Sequence, residues 1–371
     1  MKASPDSKGF SKLFTWVAMI SWAAPGGGLL AQGTATTGSV GAISFSAAAQ
    51  SDTIVSLPLH RAHSFRGAVA SASGAQLTLE QASFAEDAFN HRFYLLVESG
   101  AGEGRWFPIA DTSGATLTLD LDGDASPTFF NPGTAVRIIP FWTLDTVFPD
   151  GRGVNASGSL LPASRILLPD TSRAGVRLAP AASFFYYSGT EHGGEGWRRF
   201  GTSPTVKFDE QILLPGSSFA VRHESGSGTL FENLGSVPAA AFSARFATLL
   251  PDTAQDHAMG LGVPVAFSLS ESRLFESGAF AGSAVPDVPV DELLIFDQSA
   301  PAKNRAPAGI FYYYTGTQNG GPGWRRKGDP NTLQNLAQVF QPARGFVIRK
   351  AATPVPTPSR WTVRPAYLDL P

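Results

Sequence analysis

The chain has 371 residues, 43% of them hydrophobic and 11% aromatic, but only 16% charged, against roughly 25% in an average globular protein. A formal charge of −2 with no basic stripe gives nucleic acid no electrostatic footing. The absence of cysteine excludes a disulfide framework and thiolate metal sites. Glycine (39) and proline (28) together make up nearly a fifth of the chain. They punctuate hydrophobic runs, which predicts many short strands joined by tight turns.

The N-terminus reads as a secretory signal. Lys2, Lys8 and Lys12 form a positive segment, Leu13 to Ala24 an apolar one, and Ala31-Gln32-Gly33 places small residues where a signal peptidase cuts. Pro25 and the glycines after it break the apolar run well short of the roughly 20 residues a membrane span needs. Removing residues 1–33 deletes three Lys and one Asp, taking the net charge to −4. The expected location is outside the cytoplasm.

The next feature is a repeat. Phe184-Phe-Tyr-Tyr-Ser-Gly-Thr190 recurs as Phe311-Tyr-Tyr-Tyr-Thr-Gly-Thr317, and Gly193-Gly-Glu-Gly-Trp-Arg-Arg199 as Gly320-Gly-Pro-Gly-Trp-Arg-Arg326. One offset of 127 relates both, and also relates Asp170 to Asp297, Phe219 to Phe346 and Arg222 to Arg349. The fold expected is all-β, with two related sandwich or barrel units from an internal duplication. The first unit is split into residues 34–65 and 136–234; the second runs over 235–371. Residues 66–135 form an inserted module whose short strands and Ser-Gly turns predict a small SH3-like or OB-like barrel of four or five strands. Within each unit the motif residues predict a β-hairpin and a closing strand at 345–349. Helix signals are confined to one short turn within 331–340.

The signatures Leu293-Leu-Ile-Phe-Asp297, Phe311-Tyr-Tyr-Tyr314, Gly323-Trp-Arg-Arg326 and Gly345-Phe-Val-Ile-Arg349 resemble an uncharacterised family of exported, β-rich bacterial proteins. The resemblance implies export and β architecture. It implies no catalytic residues.

The strongest binding candidate is the pair of hairpins carrying Trp197, Arg198 and Arg199, and Trp324, Arg325 and Arg326. An exposed tryptophan beside arginine donors would stack on a sugar and bond its hydroxyls, making polysaccharide the partner. The competing expectation is that each tryptophan packs under its hairpin, with an arginine paired to Asp170 or Asp297 as a structural tie. The glycines at 193–194 and 320–321 lack the strand–loop–helix context of a phosphate loop, so they predict hairpin turns. Asp120-Leu-Asp-Gly-Asp124 resembles a calcium turn, without the distal Glu of an EF-hand. The histidines show no ligand spacing: His192 becomes Asn319 and His223 becomes Lys350 in the other half. Asp209-Glu210, the adjacent acidic pair of the first half, aligns with Leu336-Ala337 at the offset of 127. No metal, cofactor or catalytic residue is assigned. The function expected is that of a structural or interaction protein of the cell envelope or extracellular space. The alternatives are a carbohydrate-binding protein or a secreted enzyme with an unrecognised carboxylate site.

Overall fold

Two five-stranded antiparallel sheets of identical strand order organise the molecule. In the first sheet the order is Gly196–Arg199, Pro180–Tyr187, Ser164–Pro169, Ser218–His223, Asp52–Ser56. In the second it is Gly323–Arg326, Gly309–Tyr314, Glu292–Ile295, Gly345–Lys350, Gln255–Gly260. The registers match as well. Ile166 pairs with Phe184 and Phe184 with Arg199, as Leu293 pairs with Phe311 and Phe311 with Arg326. The computed structural model describes residues 38–369 except 122, 124–127 and 172. The expected signal segment, and Asp122 and Asp124 of the acidic turn, therefore lie outside the described residues.

Each sheet buries one face beneath a two-stranded ribbon. Val40–Ala47 pairs with Thr229–Ser236 over the first sheet, and Phe242–Phe246 with Ser359–Val363 over the second. Alternation along the strands sends Val55, Ile166, Phe184, Trp197 and Val221 inward to meet Phe231 of the first ribbon. Leu293, Phe311, Trp324 and Ile348 meet Phe246 and Trp361 in the second unit. These are two separate cores.

The inserted module is a closed barrel of six strands, in the order Phe65–Ser73, Gln76–Leu79, Thr116–Leu119, Trp106–Ser113, Phe93–Val97, Ala135–Pro140. It is larger than the sequence predicts. The strand at 135–140, expected to resume the first unit, instead pairs with Phe65–Ser73 and closes the barrel. Register shifts at Val69/Ser71 and Ile109/Asp111 bend two long strands so that each serves both halves of the barrel. The first unit resumes at Trp142–Thr143, which pairs with Ile212–Leu213. The one α-helix among the described residues is Leu144–Val147, capped by Thr143 and Thr146; residues 331–340 form turns, not a helix. The barrel docks on the second unit through Glu103, which accepts from the Ala241 amide at 3.0 Å and pairs with Arg364.

The outer faces of the two five-stranded sheets meet each other. Leu294, Phe296 and Val347 of the second unit are buried there against Ile54 of the first. The contact is isologous. The Gly260 amide donates to the Gly216 carbonyl at 3.0 Å, and the Ser56 amide donates to the Ala343 carbonyl at 3.1 Å. Ser217 bridges to Met259 while Arg344 bridges to Val55. Ser217 and Arg344 are 127 residues apart, and Val55 and Met259 hold the same position in their strands, so each pair maps onto the other about a pseudo-two-fold axis. The approach is close. A Cβ on Gly260 would lie 1.9 Å from the Ser56 Cβ, and one on Gly345 would lie 2.5 Å from the Ser218 Cβ. Gly260→Ser should therefore destabilise the protein by about 1–3 kcal/mol, and Ser56→Gly in the same chain should restore much of the loss. Urea denaturation of the two single variants and the double variant checks both.

Candidate functional site

The tryptophans of the repeated hairpins are interior residues. Trp197 and Trp324 are fully buried. Trp197 lies against Tyr186 and Phe148 at ring distances of 5.7 and 5.8 Å; Trp324 lies against Tyr313 and Phe280 at 5.6 and 5.1 Å. Neither indole can stack on a sugar, so the binding role expected for them is corrected: the inward face of each hairpin strand is core. Arg198 and Arg325 are buried too. Only Arg199 and Arg326, the last residues of their strands, are exposed.

The buried arginines do not pair with Asp170 or Asp297 as predicted. Arg198 Nε donates to the Pro204 carbonyl at 2.6 Å, Nη1 to the Trp197 carbonyl at 3.2 Å, and Nη2 to the carbonyls of Gly194 at 2.5 Å and His192 at 3.2 Å. Arg325 repeats the set on Pro330, Trp324, Gly321 and Asn319 at 2.8–3.0 Å. A guanidinium has a planar fork of five donors, so one side chain can serve several diverging carbonyls. The turn provides them because His192, Gly193 and Gly194 all have positive φ (55°, 83° and 79°), as do Asn319, Gly320 and Gly321 (53°, 82° and 86°). Histidine and asparagine interchange at this position because it contributes a left-handed backbone and a carbonyl. Asp170 pairs with Arg173 at 3.5 Å, and Asp297 accepts from the Ser299 amide and hydroxyl.

A second correction concerns Asp209. Its carboxylate accepts from the Trp197 amide at 2.7 Å, and the Asn335 carbonyl oxygen accepts from the Trp324 amide at 2.9 Å. Asn335, not Leu336, stands in its place, so the second half is one residue shorter here and regains the offset by Phe346. The position is kept in both halves as a tie to the hairpin.

The histidine at 223 is explained by its partner. The Thr229 hydroxyl donates to the Gly153 carbonyl at 2.7 Å, so His223 Nε2–H donates to Thr229 Oγ1 at 3.0 Å. Nδ1 then accepts from the Ser164 hydroxyl at 2.6 Å. Residues 127 further on, Ser164 becomes Asp291 and His223 becomes Lys350. These two form an ion pair, with Asp291 also accepting from the amides of Ala281 and Ala351 at 2.7 and 2.8 Å. A neutral pair in one unit is thus an ionic pair in the other, on the same two neighbouring strands.

Two buried carboxylates are likewise spent on pairing. Arg222 grips Asp52 with two bonds of 2.6 and 2.7 Å, and Arg349 grips Asp256 with bonds of 2.7 and 3.1 Å. Both are cross-strand pairs in direct register. Among the described residues no group of three or more His, Asp or Glu is placed to hold a metal ion.

Sequence reasoning missed a cavity of about 460 Å³ at the junction of the two sheets. It is lined by the apolar Ile54, Ala220, Ala258 and Val347 and by the charged Asp52, Arg222, Asp256 and Arg177. Small and aliphatic residues at outward strand positions were the available signal, but they acquire meaning only when the two sheets are placed face to face. No family model, curated protein or solved structure matches this chain.

Two outcomes follow from this geometry. Arg198→Lys should lower stability by about 2 kcal/mol, because a compact ammonium cannot span carbonyls that the fork reaches, and Trp197→Ala should lower it by about 3–5 kcal/mol. Both are read from urea midpoints. Burial, with Arg137 adding repulsion, holds His60 down at about 4. Burial, with Lys350 adding repulsion, does the same to His257, and burial also lowers His223. The unfolded chain therefore takes up protons between pH 6.5 and 4 that the folded chain does not. Stability should be complete above pH 6.5 and fall as the pH drops through that window, and His257→Asn should flatten the fall.

Proposed function

We propose that the chain is an exported structural or interaction protein, built by duplication of one β unit, that works outside the cytoplasm. The observation that carries this reading is the fate of the recurring residues. Trp197 and Trp324, Arg198 and Arg325, and the Asp52–Arg222 and Asp256–Arg349 pairs are all bonded or packed within the frame. Their recurrence therefore preserves an architecture. The matching strand orders and registers of the two sheets support the duplication. The positive and apolar segments before Ala31-Gln32-Gly33 support export. Polysaccharide recognition through the hairpin tryptophans is not carried forward, because both rings are interior.

Expression of the full chain in a bacterial host, followed by cell fractionation and intact-mass measurement, tests the reading. The expected product lacks residues 1–33, begins at Thr34, and is found outside the cytoplasmic fraction. An intact chain still carrying Met1 and confined to the cytoplasm would overturn it.

A further inference from the structure

The pseudo-two-fold axis brings a matching strap from each unit across to the first strand of the other. Strap 173–179 reaches the edge strand of the second sheet, where the Asp256 amide donates to the Gly175 carbonyl at 3.3 Å and the Gly175 amide donates to Gln255 Oε1 at 3.3 Å. Strap 300–306 reaches the edge strand of the first sheet, where the Asp52 amide donates to the Ala302 carbonyl at 2.8 Å and the Ala302 amide donates to Ser51 Oγ at 3.1 Å. The cavity lies between the sheets beside these straps.

Beyond those bonds the straps differ. In the second, the Asn304 amide donates to Asp52 Oδ2 at 2.7 Å, and its side-chain oxygen accepts from Arg222 at 2.6 Å. Arg305 donates to the Asp52 carbonyl and Ser51 Oγ, both at 2.8 Å. That strap is sealed. The corresponding positions of the first strap are Arg177 and Leu178. Both are exposed, both line the cavity, and Leu178 remains 49% accessible. Among the described residues no carboxylate pairs with Arg177. The three acids that line the cavity each have an arginine of their own: Asp52 has Arg222, Asp256 has Arg349 and Asp170 has Arg173.

We propose that this cavity binds a small amphipathic anion, a medium-chain carboxylate in chemical class, with its head group on Arg177 and its apolar body on Ile54, Ala258, Val347 and Leu178. The volume is within the range of small-molecule sites, roughly 300–1,000 Å³. The apolar lining would remove the ligand's apolar surface from water. The acids are already neutralised, and Arg305, which also lines the cavity, spends its donors on the carbonyls of Asp52, Asp297 and Ala300 and on Ser51 Oγ; the charge offered to a ligand is the Arg177 guanidinium, whose fork matches a carboxylate. The site depends on the asymmetry of the straps and not on export.

Isothermal titration calorimetry of the folded chain with decanoate below its micellar concentration tests this, with decanol and decylammonium as controls. Decanoate should bind at one site, about tenfold or more tighter than either control. Arg177→Gln and Leu178→Asp should each weaken it by about tenfold or more. Both substitutions are at exposed positions, and equal thermal midpoints without ligand establish that the fold is kept. As a second readout, decanoate should raise the midpoint of the parent chain more than that of Arg177→Gln. No saturable binding, equal affinity for decanoate and decylammonium, or binding and thermal shifts unchanged by both substitutions would each overturn the proposal.

Discussion

Everything in this molecule is arranged around a crossing where two β-sheets touch backbone to backbone. Gly260 faces Ser56 and Gly345 faces Ser218, at separations that leave no room for a further carbon atom. The amides of Gly260 and Ser56 are satisfied by carbonyls of the other unit, so the edge strands of the two sheets do not expose unpaired groups there. The crossing sets where the straps land, which outer-face residues become the interior of Leu294, Phe296 and Val347, and where a cavity remains. Two units that each have a complete core are thereby made into one body.

The same economy shapes the buried charges. An arginine sealed inside a hairpin turn needs partners for its donors, and a turn with three left-handed residues in succession has carbonyls that need donors. Each satisfies the other, which is why the Gly-Gly-x-Gly-Trp-Arg pattern behaves as a unit. The guanidinium does not require a carboxylate: Asp170 and Asp297 are bonded elsewhere, and Asp209 serves the Trp197 amide instead. Ser164–His223 and Asp291–Lys350 make a related point. One structural position accepts a neutral hydrogen-bonded pair or an ionic one, provided both members change together.

The pseudo-symmetry is informative where it fails. Arg305 and Asn304 lock one strap onto Asp52, whereas Arg177 and Leu178 leave the other open toward the cavity. The strands that carry the straps share three equivalent cross-strand pairs in both halves, but the straps differ in backbone as well as side chains: Asn304 has a positive φ of 51°, which its counterpart Arg177 does not share. The barrel is a separate addition. It is closed on itself, with its own core around Leu95, Ile109 and Ile138, and it touches the second unit through Glu103.

Much of this was legible in the chain itself. Alternation and turn residues gave the strands, because the period of two and the conformations that glycine permits are local properties. The offset of 127 placed the two hairpins and their equivalent neighbours, and the strand spacing marked a barrel between 66 and 135. The sequence leaves the barrel's last strand ambiguous between the barrel and the first unit, because Ala135–Pro140 is equally apolar whichever sheet it joins and only pairing decides. The burial of Trp197 and Arg198 was also undecided in the sequence, since a Trp-Arg-Arg strand reads the same on a surface as in a core. The one-residue slip that puts Asn335 in the place of Asp209 shows only through the hydrogen bond each makes to a tryptophan amide. Local conformation was thus set by residue type and spacing. The inward faces, the partners of the buried arginines and the cavity were decided by the packing of strands distant in sequence, which no local pattern encodes.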